Sequence, residues 1–281
     1  MTIAVASLRA STQLASTRLG LIEYQQAGSG STVLISHGTP GGFDQGLVIA
    51  EILRLRGFSV LAISRPGYLK TPLATGTTPI EQADAFAALL DTQNICKAAI
   101  IGVSGGGPAA LHFALRHREK CLSLVMISAI SLPLSSFPLS RCRRLVDATV
   151  PFDLRLAMLR LIALTSAWKA RARAEREAWR RYRDLLQTTV PDRLRRLGRQ
   201  NDHREFQHLP SIPFDQITTP ALVIHGTGDE TVPIAHGRAA AALPNSRFHE
   251  LSGGHEAMVF QSSEVAPVVN QFLTEHSRTD Q

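Results

Sequence analysis

Three side chains far apart along this 281-residue chain could together perform nucleophilic chemistry: a serine between glycines, an aspartate and a histidine. The serine is Ser104 in Gly102-Val103-Ser104-Gly105-Gly106, which fits G-x-S-x-G. A serine hydroxyl attacks only when a base removes its proton and a third group orients that base. Alone, G-x-S-x-G is a weak signal, because a glycine-rich turn whose serine caps a helix reads the same way. Its neighbours strengthen it. Residues 98–101 form a short apolar run that suits a strand buried on both faces. Ala109, Ala110, Leu111, Phe113, Ala114 and Leu115 then follow at helical spacing. A strand that becomes a helix within one residue strains that residue, and glycines two before and two after leave room for the turn. The following helix presents its N-terminus, with free N–H groups and partial positive charge, where negative charge would develop.

In a parallel sheet, groups just beyond the carboxyl ends of several strands converge on one edge. Asp229 lies four residues past the apolar run ending at His225. His255 lies four past the run ending at Leu251, after Ser252-Gly253-Gly254. The order Ser104, Asp229, His255 is the one expected for this sheet type. Glu230 is the rival acid, and Asp229 could also be a plain turn residue after Gly228. Nine other histidines compete with His255. His112, His117, His236 and His276 fall on expected helices, and His203 and His208 in a helix-rich segment. His225 and His249 sit inside or beside strands and read as structural. His37, before a glycine in a turn, reads as a brace for its loop. An oxyanion also needs donors. The N–H of Gly105 is one, and the loop His37-Gly38-Thr39-Pro40 should give the second. Pro40 has no N–H, so Thr39 is the candidate.

The elements that must position these groups follow from periodicity. Residues 12–25 suggest an antiparallel strand pair joined near Ala15-Ser16-Thr17. Strands are expected at 33–36, 59–63, 98–101 and 122–127, with helices at 44–56 and 80–90 between them. This alternation implies a parallel sheet with right-handed crossovers. The rhythm breaks over 131–213, which shows helix-like runs and no convincing strand. Trp168, Ala172, Trp179, Tyr182 and Leu186 recur there at spacings of three and four, with Glu175 the one interruption, as an apolar stripe docked on the body with the arginines on the wet face. Strands resume at 221–225 and 248–251, with helices at 235–243 and 265–272. The expected organisation is an α/β core of residues 1–130 and 214–281, with residues 131–213 inserted as an all-helical lid.

The formal charge of +7 is uneven. Residues 141–204 hold 17 basic and 7 acidic side chains, while the remainder holds 13 basic and 16 acidic. The excess therefore belongs to the insertion. Acids are interspersed there and no nucleic-acid motif is present, so the reading is a solvated helix face or a bias for acidic substrates, without a nucleic-acid partner. The N-terminal residues lack the pattern of a secretory signal. The apolar stretch 156–164 is interrupted by Arg160 and too short to span a bilayer. Cys96, Cys121 and Cys142 have no metal-ligand spacing and read as free thiols, two of them core, in a reducing cytoplasm.

Taken together, His37-Gly-Thr-Pro-Gly-Gly42, Ser64-Arg-Pro-Gly-Tyr68, Gly102-Val-Ser-Gly-Gly-Gly-Pro108, His225-Gly-Thr-Gly-Asp229 and Gly254-His255 resemble the α/β-hydrolase family with a helical cap. The resemblance implies a mostly parallel eight-stranded sheet flanked by helices, a triad of Ser104, His255 and Asp229, and no cofactor or metal. It makes Arg65 an ion-pairing residue of the framework and not a substrate clamp. The arginine-rich cap departs from subfamily patterns. The function expected is a cytoplasmic serine hydrolase acting on a small carboxylic ester through an acyl-enzyme. The alternatives are amide or lactone cleavage, or ligand binding without turnover on the same scaffold.

Overall fold

The computed structural model describes residues 12–136 and 173–277, with residues 154, 157–159, 161, 162 and 166 between them. Eight strands form one sheet: β1 (Gln13–Thr17), β2 (Gly20–Gly28), β3 (Ser31–Ser36), β4 (Phe58–Ile63), β5 (Ala98–Val103), β6 (Cys121–Ile127), β7 (Ala221–Gly226) and β8 (Ser246–Leu251). Their spatial order is β1-β2-β4-β3-β5-β6-β7-β8. β2 runs antiparallel to both neighbours, and every pairing from β4 to β8 is parallel. The helices are α1 (Phe43–Ile52), α2 (Pro79–Thr92), α3 (Gly107–Arg116), α4 (Arg173–Gln187), α5 (Arg196–Gln207), α6 (Ile234–Ala240), α7 (Ala257–Phe260) and α8 (Ser262–Glu275).

Strands β3, β4, β5 and β7 are apolar on both faces because both faces are covered. Alternate residues divide between two cores. Val33, Ile35 and Ile101 pack with Phe43 and Ile49 of α1 and Val269 and Phe272 of α8. Leu34, Ile100 and Leu124 pack with Phe86 of α2 and Leu111 and Phe113 of α3. Each such side chain contributes roughly 1.5–3 kcal/mol by leaving water. The carboxyl ends of β3, β5, β7 and β8 then carry the loops holding His37, Ser104, Asp229 and His255.

Local differences from the expected elements have local causes. The first hairpin turns at Arg18-Leu19, beyond Ala15-Ser16-Thr17. Gly20 there takes φ +125°, and the Thr17 hydroxyl accepts from the Leu19 N–H at 3.2 Å and donates to the Gly20 carbonyl at 2.7 Å. Helix α1 stops at Ile52, short of 56, because Arg54 is left-handed at φ 51°. Helix α2 starts at Pro79, where Thr78 and Glu81 form a reciprocal capping box. The short helix α7 was not apparent from periodicity.

Between β6 and β7 the described residues hold α4 and α5 and no strand. Tyr182 and Leu186 of α4 are buried in the first core, with Trp179 packed beside them and against Phe260. Trp168 and Ala172 of the expected stripe lie outside the described residues. The arginines do not all face water: Arg195 is fully buried, its guanidinium 2.7 Å from the buried carboxylate of Asp44. Cys121 is buried and Cys96 exposed, while Cys142 lies outside the described residues. Among the described residues no helix is long and apolar enough to cross a membrane.

Candidate active site

β5 ends at Val103, and Ser104 follows with φ 50°, the strained conformation expected of a residue between strand and helix. Gly106 permits the turn by its size. A Cβ there would stand 2.1 Å from the Ser36 carbonyl oxygen and 2.7 Å from that of His37. The turn therefore needs glycine whatever its dihedral angles. The Ser104 carbonyl accepts from the Ile130 N–H at 3.0 Å, which ties the elbow to the chain leaving β6.

The imidazole of His255 lies between the other two groups, with Nε2 3.0 Å from the Ser104 hydroxyl and Nδ1 2.7 Å from Oδ2 of Asp229. Asp229 is fully buried at its carboxylate. Burial pushes its pKa up, but the hydrogen bond and charge of His255 and the N–H groups of Val232 and Thr231 outweigh this and hold it below the ordinary value. Those two N–H groups each donate to Oδ1 at 2.8 Å, leaving Oδ2 for the imidazole. An ionised carboxylate only accepts, so His255 carries its proton on Nδ1 and turns a lone pair on Nε2 toward the serine. The acid facing Nδ1 is thus Asp229, one residue before the rival Glu230. His225 donates from Nε2 to the Val232 carbonyl at 2.8 Å and stands 3.5 Å from Asp229, supporting the aspartate loop from below.

Thr39 sits against the elbow: a Cβ on Gly105 would meet its Oγ1 at 2.1 Å. The loop carrying it is clamped on both sides by Gln45, whose Oε1 accepts from the Gly38 N–H at 2.8 Å and whose Nε2 donates to the Pro40 carbonyl at 2.9 Å. The Gly38 N–H is thereby committed. The Thr39 N–H makes no hydrogen bond to another described residue, and Gly105 lies in the first turn after β5, where N–H groups lack intrahelical partners. His37 braces the same loop. Its Nε2 accepts from the Arg65 N–H at 3.0 Å, so its proton is on Nδ1, 2.7 Å from the Gly38 carbonyl. Burial, aided by the neighbouring Arg65 charge, holds its pKa well below 6.5 and keeps it neutral.

Arg65 is fully buried with all five N–H donors engaged. Nε reaches the His37 carbonyl, Nη1 reaches Gln82 and Asp202, and Nη2 reaches Thr39 and Asp202. No donor remains for a substrate. Asp202, Gln45 and Phe206 were not singled out from sequence. Asp202 is 137 residues from Arg65, and only its acidity within an arginine-rich segment sets it apart. Ile130, Phe206, Leu209 and Val232 form a small buried apolar cluster beside the elbow. Among the described residues no group of three His, Cys, Asp or Glu side chains is placed to hold a metal ion.

Comparison with known proteins adds a lineage to this geometry. The family profile described as alpha/beta hydrolase fold matches residues 31–261. The chain belongs to the α/β-hydrolase fold family. A solved α/β-hydrolase fold protein from Nakamurella multipartita is 28% identical, with TM-score 0.76 over 95% of this chain and 99% of that one. The 2-hydroxy-6-oxononadienedioate/2-hydroxy-6-oxononatrienedioate hydrolase of Paraburkholderia phymatum is 28% identical over 81% of this chain and 82% of its own length. An uncharacterized hydrolase of Bacillus subtilis is 29% identical over 112 residues, 40% of this chain and 39% of that protein. These α/β-hydrolase relatives support a hydrolase as the broad activity class.

Proposed function

We propose that the chain is a serine hydrolase that cleaves a small carboxylic ester through an acyl-enzyme. The observation carrying this reading is the continuous contact from the Asp229 carboxylate through His255 to the Ser104 hydroxyl. His255 takes the hydroxyl proton as Ser104 Oγ bonds to the acyl carbon. Asp229 holds the ring and offsets the positive charge it acquires. The N–H groups of Gly105 and Thr39 receive the developing oxyanion. His255 then returns the proton to the departing alcohol. A water, deprotonated by the same nitrogen, releases the acid and restores Ser104. Helix α5 stands as part of the cap beside this edge, anchored by Asp202 and by Arg195 just before it, and its Phe206 and the following Leu209 pack with Ile130 and Val232 next to the elbow.

A second reading is hydrolysis of a carbon–carbon bond in a 2-hydroxy-6-oxo-dienoate, favoured by the names of relatives matched over most of their length. Such substrates carry carboxylates, whereas Arg65, the buried cation beside Thr39, has no donor left for one. This favours the ester. The test runs p-nitrophenyl esters of increasing acyl length and a 2-hydroxy-6-oxo-dienoate against wild-type protein and Ser104→Ala, with a fluorophosphonate probe alongside. Ester turnover and probe labelling, both lost in Ser104→Ala, are expected. Wild-type protein that turns over only the dienoate moves the assignment to the second reading, and inertness toward all three reagents overturns both.

A further inference from the structure

We infer that Asp202, carried on helix α5 of the segment between β6 and β7, is a positioning residue for the oxyanion donors, so that docking of this helix and competence of the site are one event. The inference rests on the hydrolase reading above and adds to it a residue outside the α/β core.

Asp202 is 1% exposed, and four donors converge on its carboxylate. Oδ1 accepts from Arg65 Nη1 at 2.9 Å. Oδ2 accepts from Arg65 Nη2 at 2.6 Å, from the Tyr68 hydroxyl at 2.5 Å and from the Thr39 hydroxyl. Neutralising Arg65 would need only the first two. The bond to Thr39 reaches the residue whose N–H is the second oxyanion donor, and whose Oγ1 lies where a Cβ on Gly105 would stand. Both donors therefore border one hydroxyl, and Asp202 decides where that hydroxyl points. Phe206, one turn farther along α5, lies 3.0 Å from the same Cβ position. Helix α5 thus meets the oxyanion loop through a charge-assisted hydrogen bond and the elbow through an aromatic edge. Thr39 has alternative staggered rotamers about its Cα–Cβ bond, and without Asp202 its hydroxyl loses the acceptor it donates to, keeping the Arg65 Nη2 donor at 3.1 Å.

Thr39→Val separates this role from a purely structural one. It removes the hydroxyl but keeps the backbone N–H, the side-chain shape and the Arg65–Asp202 pair. Removing an oxyanion donor costs about 10²–10³ in kcat, and misplacing one should cost less, about tenfold. The expected result with a p-nitrophenyl ester is a roughly tenfold fall in kcat with KM within about threefold, and a matching loss of affinity for a boronic acid that adds to Ser104. Thr39→Ser should restore both. Asp202→Asn should lower kcat at least as far, and the double variant Thr39→Val/Asp202→Asn should fall no further than the worse single variant. Thermal unfolding, followed in parallel, shows whether each variant is folded at the assay temperature. Wild-type kcat and boronate affinity in Thr39→Val, no rescue by serine, or additive losses in the double variant would each overturn the inference. Wild-type protein inert toward ester and probe would instead overturn the hydrolase reading.

Discussion

Oδ2 of Asp229 lies 2.7 Å from Nδ1 of His255, while Oδ1 of the same carboxylate takes the N–H groups of Thr231 and Val232. This division of one carboxylate sets the tautomer of the imidazole, because only a protonated Nδ1 can face an acceptor. The same two backbone donors keep the side chain from rotating, so orientation of the ring is built into the loop after β7.

Asp229→Asn tests that relationship. An amide can present NH₂ to the ring as readily as oxygen, which stabilises the wrong tautomer and leaves Ser104 facing an N–H. Turnover of a chromogenic ester should fall by about 10³ or more, with the protein still folded. Glu230→Gln should stay within about twofold of wild type. Equal effects at the two positions would contradict the assignment of Asp229.

Arg65 and Asp202 are 0% and 1% exposed at their side chains, so each is buried only because the other is present. Arg65→Met leaves a buried carboxylate without its counter-charge, a loss of about 3–5 kcal/mol. Arg65→Lys should recover little of it, since an ammonium cannot reproduce the planar fork that bonds His37, Gln82, Thr39 and Asp202. Urea unfolding of the two variants measures this, and a wild-type midpoint for Arg65→Lys would refute it.

Gly106 and Gly57 separate two reasons for glycine. Gly106→Ala drives a Cβ to 2.1 Å from a backbone oxygen of β3 and should cost roughly 3 kcal/mol or more, or prevent folding. Gly57 has open space around it but φ +81°, so Gly57→Ala should cost only about 1–2 kcal/mol. The comparison is read from denaturant midpoints, and the reverse ranking would mean that the elbow can shift away from β3.

His236 anchors the chain where it leaves the sheet: its Nδ1 accepts from the N–H groups of Ser131 and Leu132, each at 3.1 Å. Burial, with the nearby His225, lowers its pKa to about 4, although Asp229 acts the other way. The folded state thus resists a proton that the unfolded chain accepts near 6.5. Stability from this group is complete above pH 6.5 and falls as pH drops from there toward 4, by up to about 1.4 kcal/mol per unit. Asp229 adds a further loss only below the ordinary aspartate range. Thermal midpoints from pH 7.5 to 4 should show the decline, and His236→Gln should make it shallower, the remainder coming from His37, which burial also holds below 6.5. A profile unchanged by that substitution would assign the decline to other groups.

The alternation of short buried strands with helices, expected at 44–56, 80–90 and over the apolar spacing 109–115, was legible because periodicity and turn chemistry are local properties. The same holds for the strained serine at 104, and for the expectation that an aspartate and a histidine after later strands share its edge. Segment ends were less legible, as at Arg54 and Arg18-Leu19, where a single left-handed residue or hydroxyl bond decides the stop.

The sequence by itself determined the alternation of strands and helices that makes a parallel sheet, and the three residues that follow its strands, since each is read from patterns within a dozen residues; the strand order is a property of the folded sheet. Only tertiary structure decided that Arg195 is buried against Asp44 and that Asp202 joins Arg65, Tyr68 and Thr39. The physical reason is that a charge records nothing of its partner 137 or 151 residues away. Whether an arginine faces water or a carboxylate is set by how the helices between β6 and β7 dock, and that docking exists only in the folded chain.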